Sequence, residues 1–227
     1  MQLNKYLAHA GVCSRREADR LIRAKLVSVN GAVALPTLRV ADGDRVFVKG
    51  KEVILKDEEK VYLAYHKPVG VICTTDKRAK DNIVAAVRYS KRIFPIGRLD
   101  VSTSGLILLT DDGEIVNSIL KGRHAIEKEY IVDVDKSVTA DKLTILERGV
   151  MLDGHRTLPA RARQLGSKKF SFVIVEGKNR QVRRMCERVG WNVVRLKRVR
   201  IGKLLLGDLP SGTYRELAPK EIEEVFR

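Results

Sequence analysis

Three short segments of this 227-residue chain carry side chains that could do chemistry. The first is Gly97-Arg98-Leu99-Asp100-Val101-Ser102-Thr103-Ser104-Gly105-Leu106, where a single carboxylate stands among small polar residues between two apolar runs. A carboxylate so placed can act as a nucleophile or a base. It can also be a plain turn residue making an Asx-type bond, which is how the nearby Asp111-Asp112-Gly113 reads. The second segment, Glu127-Lys128-Glu129-Tyr130-Ile131-Val132, puts Tyr130 at the head of an alternating run with Val132 and Val134, so taken alone it reads as a core aromatic. The third runs from Glu176 to Met185 and contains Arg180, Arg183 and Arg184. Its helix begins near Asn179, with Val182, Met185, Cys186 and Val189 as the apolar stripe. Arg180 and Arg184 then lie one turn apart with Arg183 at the flank of the stripe, which alone describes a solvated basic face. Histidines 9, 66, 124 and 155 and cysteines 13, 73 and 186 are scattered. They have no metal-ligand or C-x-x-C spacing, so neither a metal site nor a disulfide framework is expected.

These segments need a scaffold, and the hydropathy pattern outlines one. Strands are expected at 61–66, 69–74, 93–98, 105–110, 128–135, 161–165, 169–175 and 193–206, with helices at 81–87, 113–121, 139–148, 180–189 and 219–226. Continuous apolar runs such as Leu106-Ile107-Leu108-Leu109 and Phe172-Val173-Ile174-Val175 read as central strands. Runs of strands with interspersed helices point to an α+β fold with a mostly antiparallel mixed sheet and flanking helices. The first fifty residues form a separate pattern. Leu3, Tyr6 and Leu7 repeat at helical spacing until Gly11, and Ser14-Arg15-Arg16-Glu17 is a capping box opening a second helix to about Lys25. Asn30-Gly31 then marks a hairpin turn. Three regions are therefore expected: a module at 1–50, a charged linker at 51–60 and a larger domain at 61–227.

The net charge of +16 is concentrated rather than spread. Residues 1–50 hold +5 and residues 176–203 hold +8, while the rest of the chain is nearly neutral. Two basic patches favour a polyanionic partner. A membrane surface is disfavoured because no long basic amphipathic helix is present. No apolar run reaches the ~18 residues of a spanning helix. The opening residues Met1-Gln2-Leu3-Asn4-Lys5 hold no apolar signal core, so a reduced, cytoplasmic protein is expected.

Four motifs in a fixed order resemble the RsuA/RluB/RluF branch of ribosomal RNA pseudouridine synthases over nearly the whole chain. Residues 1–50 resemble an S4 RNA-binding domain, and His66-Lys67-Pro68-Val69-Gly70 resembles the strand that opens the family's catalytic domain, with His66 where Asn is common. Gly97-Arg98-Leu99-Asp100 with Thr103-Ser104-Gly105-Leu106 is similar to the signature loop, Lys128-Glu129-Tyr130 to the aromatic motif, and Asn179-Arg180-Gln181-Val182-Arg183-Arg184-Met185 to the arginine motif. Phe94-Pro95-Ile96-Gly97 and Asp81-Asn82-Ile83-Val84 lean toward the RluF-type subgroup, which acts on large-subunit rRNA.

The resemblance implies isomerisation of a uridine in 23S ribosomal RNA without any cofactor, with 16S rRNA or a noncatalytic RNA-binding assembly factor as the alternatives. It makes Asp100 the essential carboxylate, Arg183 its ion-pair partner and Tyr130 the ring that stacks on the target base. Arg98 is expected to fill the space vacated by a flipped base or to hold a phosphate. Asn179, Arg180, Gln181 and Arg184 are further RNA contacts, and Lys5, Arg15, Arg16, Arg23, Lys25 and Asn30 are the backbone contacts expected of the S4-like module. The expected partner is a folded rRNA stem-loop, free or in a ribosome assembly intermediate, bound by a monomer without membrane association.

Overall fold

The structure is a computed structural model that describes all residues except 56–58, 77, 114, 116–125 and 227. The expected helix at 113–121 therefore lies largely outside the described residues. The chain divides into two compact units: Met1–Lys60 with Ser90–Arg92 and Asp111–Gly113, and the remainder from Val61 onward.

In the first unit, α1 (Leu3–His9) buries Leu3, Tyr6 and Leu7, and Gly11 ends it at φ +74°. Helix α2 (Arg15–Arg23) is capped by Ser14, whose Oγ accepts the Glu17 N–H at 3.2 Å, and buries Ala18 and Ile22. The reciprocal half of the capping box is not made, because the Glu17 carboxylate pairs with Arg20 instead. Four short antiparallel strands, β1 (Val27–Val29), β2 (Ala32–Val33), β3 (Val46–Val48) and β4 (Lys51–Val53), pair in the order β2-β1-β3-β4. Asn30 and Gly31 both take positive φ, as the turn joining β1 to β2 requires. Strand β4 occupies the start of the stretch expected as linker, with Val53 in the core and its carbonyl accepting the Tyr6 hydroxyl at 3.1 Å.

The second unit is built on one large sheet. Its strands are β5 (Tyr62–Lys67), β6 (Phe94–Ile96), β7 (Ser104–Thr110) and β8 (Lys128–Val134), then the hairpin β9 (Met151–Leu152) and β10 (His155–Arg156), which pair separately. They continue with β11 (Arg161–Gly166), β12 (Lys169–Ile174), β13 (Val193–Ile201), β14 (Leu204–Leu205) and β15 (Tyr214–Glu216). The order is β11-β12-β8-β13-β7-β5-β15, with β6 on β7 and β14 on β13. Among the described residues every pairing of named strands is antiparallel except β13 with β7, where Lys197 faces Ser104 and Arg198 faces Gly105. Strand β7 is apolar on both sides: Ile107 and Leu109 enter one core cluster, Leu106 and Leu108 the other. Helices α3 (Ile83–Val87), α4 (Ala140–Arg148) and α5 (Gln181–Arg188) cover the first cluster, and α6 (Pro219–Phe226) sends Val225 into the second.

The expected strand at 69–74 does not form. Gly70 sits at φ +96°, which breaks an extended run, and the Lys67 ammonium draws in the carbonyls of Pro68 and Val71, each at 2.8 Å. The segment keeps only an isolated bridge between Ile72 and Asn82. The run expected at 193–206 is a hairpin, turned at Gly202 between β13 and β14.

Candidate active site

The 97–103 loop leaves β6 at Gly97, whose φ of +75° makes the turn, and enters β7 beside Gly105. A Cβ built on Gly105 would lie 2.1 Å from the Arg198 carbonyl oxygen, so only glycine lets β7 and β13 approach this closely. The loop is tied down from several sides. Leu99 is buried and its N–H donates to Cys73 Sγ at 3.4 Å. The Val101 carbonyl accepts from Gly70 N–H at 2.9 Å and from Lys67 Nζ at 3.5 Å, and the Ser102 carbonyl accepts from the Arg183 guanidinium at 2.9 Å. The Asp100 carbonyl takes the Thr103 N–H at 3.0 Å. The Asp100 carboxylate, half-buried, makes no hydrogen bond or ion pair to any described residue. A rigid loop thus carries a carboxylate left free for a substrate, unlike the Asx-turn reading open at the sequence level.

A cleft of about 1530 Å³ opens over this loop. Asp100, Arg98, Tyr130, Asn179, Arg180 and Gln181 all line it, drawn from three segments that are far apart in sequence. Tyr130 projects from β8 at 7 % exposure. Arg98 is exposed and makes no bond to a described residue. The lining holds five basic side chains (Arg98, Lys128, Lys178, Arg180 and Arg198) against two acidic ones, Asp100 and Glu176. That balance suits a polyanion.

Arg183 is not in the lining, and the direct ion pair expected with Asp100 is not formed. Its guanidinium bonds two backbone carbonyls at 2.9 Å, Val193 at the start of β13 and Ser102 in the loop, leaving Nε buried without a partner. Burial first, then the charge of Arg180, pulls this guanidinium below its ordinary pKa, and the Asp100 charge works against both. Arg183 therefore acts on Asp100 through space and through the loop backbone rather than by a fork on the carboxylate.

Several expected RNA contacts have internal partners. Gln181 is buried, donates to Glu176 at 2.7 Å and accepts the Lys178 N–H at 2.9 Å, bracing the loop ahead of α5. Arg184 pairs with Asp153 at 2.9 Å through Nη1 and lies outside the cleft. Asn30 donates to Asp44 at 2.8 Å and accepts the Arg45 N–H at 2.9 Å, which fixes its own turn. Arg15, Arg16, Arg23 and Lys25 are exposed on the first unit, Arg15 with a long 3.4 Å contact to Gln2, and Lys5 is half-buried.

Three cations were not assigned a role from sequence. Lys67 is fully buried, and burial pulls its ammonium below the ordinary value while Cys73 and Asp100 oppose the shift. Lys128 and Arg198 line the cleft beside Tyr130. For Lys67 the signal was a lysine at the buried end of a strand ahead of Pro68. For Arg198 it was the alternation of β13, which must turn one of its many basic residues inward.

Comparison with known proteins gives consistent results. Residues 61–188 match the family described as RNA pseudouridylate synthase, and residues 1–46 match the S4 domain. The chain is 42% identical over 228 residues to the dual-specificity RNA pseudouridine synthase RluF of Escherichia coli (strain K12), across 100% of this chain and 79% of that protein. It is 41% identical to the ribosomal large subunit pseudouridine synthase B of Bacillus subtilis (strain 168), across 99% of this chain and 95% of that protein. A crystal structure of a pseudouridylate synthase matches with a TM-score of 0.72 and 31% identity, covering 99% of each chain.

Proposed function

We propose that this chain, which belongs to the RNA pseudouridylate synthase family and carries an S4 domain, converts a specific uridine of large-subunit ribosomal RNA to pseudouridine. The observation that carries the reading is the convergence of Asp100, Tyr130 and the Asn179–Gln181 loop on one basic cleft, with the Asp100 carboxylate unpartnered in it.

In this reaction the C1′–N1 bond breaks, the base turns, and C5 bonds to C1′. The C5 proton leaves and N1 gains one, so the product is an isomer and nothing external is consumed. Asp100 supplies the carboxylate, as nucleophile or base. Tyr130 receives the extruded base on its ring. Extrusion costs a few kcal/mol of unstacking, and Arg98 at the cleft mouth takes the vacated space or a phosphate. Lys67 and Arg183 hold the loop carbonyls so that Asp100 stays in register. The exposed Arg15, Arg16, Arg23 and Lys25 of the first unit grip the backbone of a stem-loop and add affinity more than readout.

The test compares native protein with Asp100→Asn on rRNA that lacks the modification, with pseudouridines mapped afterwards. Native protein is expected to convert one uridine and the variant none. Equal conversion by both, or by neither, removes the assignment.

A further inference from the structure

Lys128 and Arg198 are not used by the chemistry just described, yet both line the cleft with Asp100 and Tyr130. Arg198 is 4 % exposed, and its Nε donates to the Leu106 carbonyl at 2.7 Å. The Lys128 ammonium donates to the Ile126 carbonyl at 2.9 Å. Neither has a carboxylate partner among the described residues. The acids beside Lys128 in sequence are engaged elsewhere: Glu127 by Arg161 and Arg200, and Glu129 by Ser171 and Arg200. Burial, followed by the Arg198 charge, pulls the Lys128 ammonium below its ordinary pKa. Two like charges held together without a counter-charge are unfavourable, and an anion between them reverses the sign of the interaction.

The strand register indicates which anion. Arg198 lies directly across from Tyr130. Lys128 is two residues before Tyr130 on the same side of β8, about 7 Å along the strand. That separation is comparable with the span of one nucleotide from base to phosphate. Uracil is neutral in the ground state, whereas each backbone phosphate beside an extruded nucleotide carries a full charge. Asp100 repels that charge from its own part of the cleft.

We propose that Lys128 and Arg198 form the subsite for a backbone phosphate flanking the extruded uridine. The proposal rests on the reading that Tyr130 receives the base. It makes these two residues binding groups for the RNA chain, distinct in role from the carboxylate.

The experiment uses the full-length protein and a synthetic RNA hairpin with one uridine in its loop. Each phosphate flanking that uridine is replaced in turn by a neutral methylphosphonate, with a 2′-O-methyl on the adjoining ribose. The reference is the same 2′-O-methyl RNA with ordinary phosphates. For native protein, neutralising one flank is expected to weaken binding about tenfold. Lys128→Gln should bind the reference RNA about tenfold more weakly and show no further loss at that flank. Lys128→Arg, which keeps the charge, should restore the native pattern. The single-turnover rate on bound RNA should stay within about twofold for Lys128→Gln. The proposal is overturned if neutralisation weakens native protein and Lys128→Gln equally, or affects neither. It is also overturned if Lys128→Gln binds normally but reacts slowly, which would place the cation against the departing base. Pseudouridine formation on natural rRNA is scored separately, so failure of the activity reading is distinguishable from failure of the phosphate subsite.

Discussion

Replacing Arg183 by lysine keeps the charge and removes the fork. In the structure Nη1 and Nη2 reach two carbonyls on different elements, Val193 on β13 and Ser102 in the catalytic loop, both at 2.9 Å. A lysine presents one nitrogen at the end of a flexible stem and can hold one of them well. Loss of one charge-assisted bond from this buried guanidinium to a backbone carbonyl corresponds to about 1.5–3 kcal/mol of stability. The effect on catalysis has a different origin, because the Ser102 carbonyl lies two residues from Asp100. A displacement of ~1 Å in a reacting group lowers the rate by about 100-fold. Conversion is read by tritium release from RNA labelled at C5 of uridine, and stability by urea unfolding followed by circular dichroism. Arg183→Lys should lose about 1.5–3 kcal/mol and about 100-fold in kcat, with KM little changed. Full activity at reduced stability would show that the loop does not depend on Arg183. Unchanged stability would refute the two-carbonyl account altogether.

Gly105→Ala should be more damaging than its size suggests. The added methyl would meet the Arg198 backbone at 2.1 Å at a φ of +111°, so β7 and β13 must part, and little soluble folded protein is expected, measured as yield and thermal transition. Native-like stability in that variant would mean the two strands tolerate separation. Glu129 has its pKa held below the usual glutamate value of 4.5, first by the Ser171 hydroxyl and then by Arg200. A carboxyl depressed in the folded state contributes stability above the unfolded value and loses it as pH falls through the folded value. The difference in urea stability between pH 7 and pH 3 should therefore be smaller for Glu129→Gln than for native protein, and equal differences would exclude this contribution.

Local signals in the chain were sufficient where the physics is local. Ser14 accepts the Glu17 N–H at 3.2 Å, so α2 begins where the capping box places it. The continuous apolar run from Leu106 to Leu109 marks a strand buried on both sides, as found. Segment 69–74 has the composition of a strand, but the carbonyls of Pro68 and Val71 solvate a buried ammonium, and no local pattern reports that. The two-residue strands β9 and β10 and the three-residue β15 are too short to carry a period. Asp100, Tyr130 and the arginine segment were legible as motifs. Which atoms of Arg183 face a carboxylate and which face carbonyls depends on where β13 and the loop meet, and that is set by tertiary packing. Arg198 was hidden for the same reason: among four basic residues in Val193–Ile201, pairing with Tyr130 determines which one is buried.

The position of β13 also has a kinetic consequence. It lies between β8 and β7, joining a ladder of β11, β12 and β8 to a ladder of β7, β5 and β15. Until residues 193–201 are in place, Tyr130 belongs to one ladder and the loop of Asp100 to the other. Pairing across roughly ninety residues of intervening chain is a high-contact-order event and slow to nucleate. During synthesis, when chains lengthen by about 5–20 residues per second, Asp100 and Tyr130 are made well before the strand that joins their ladders. Catalytic competence is thus a late property of the folding chain, and a shortened or stalled product retains the pieces of the site without their alignment.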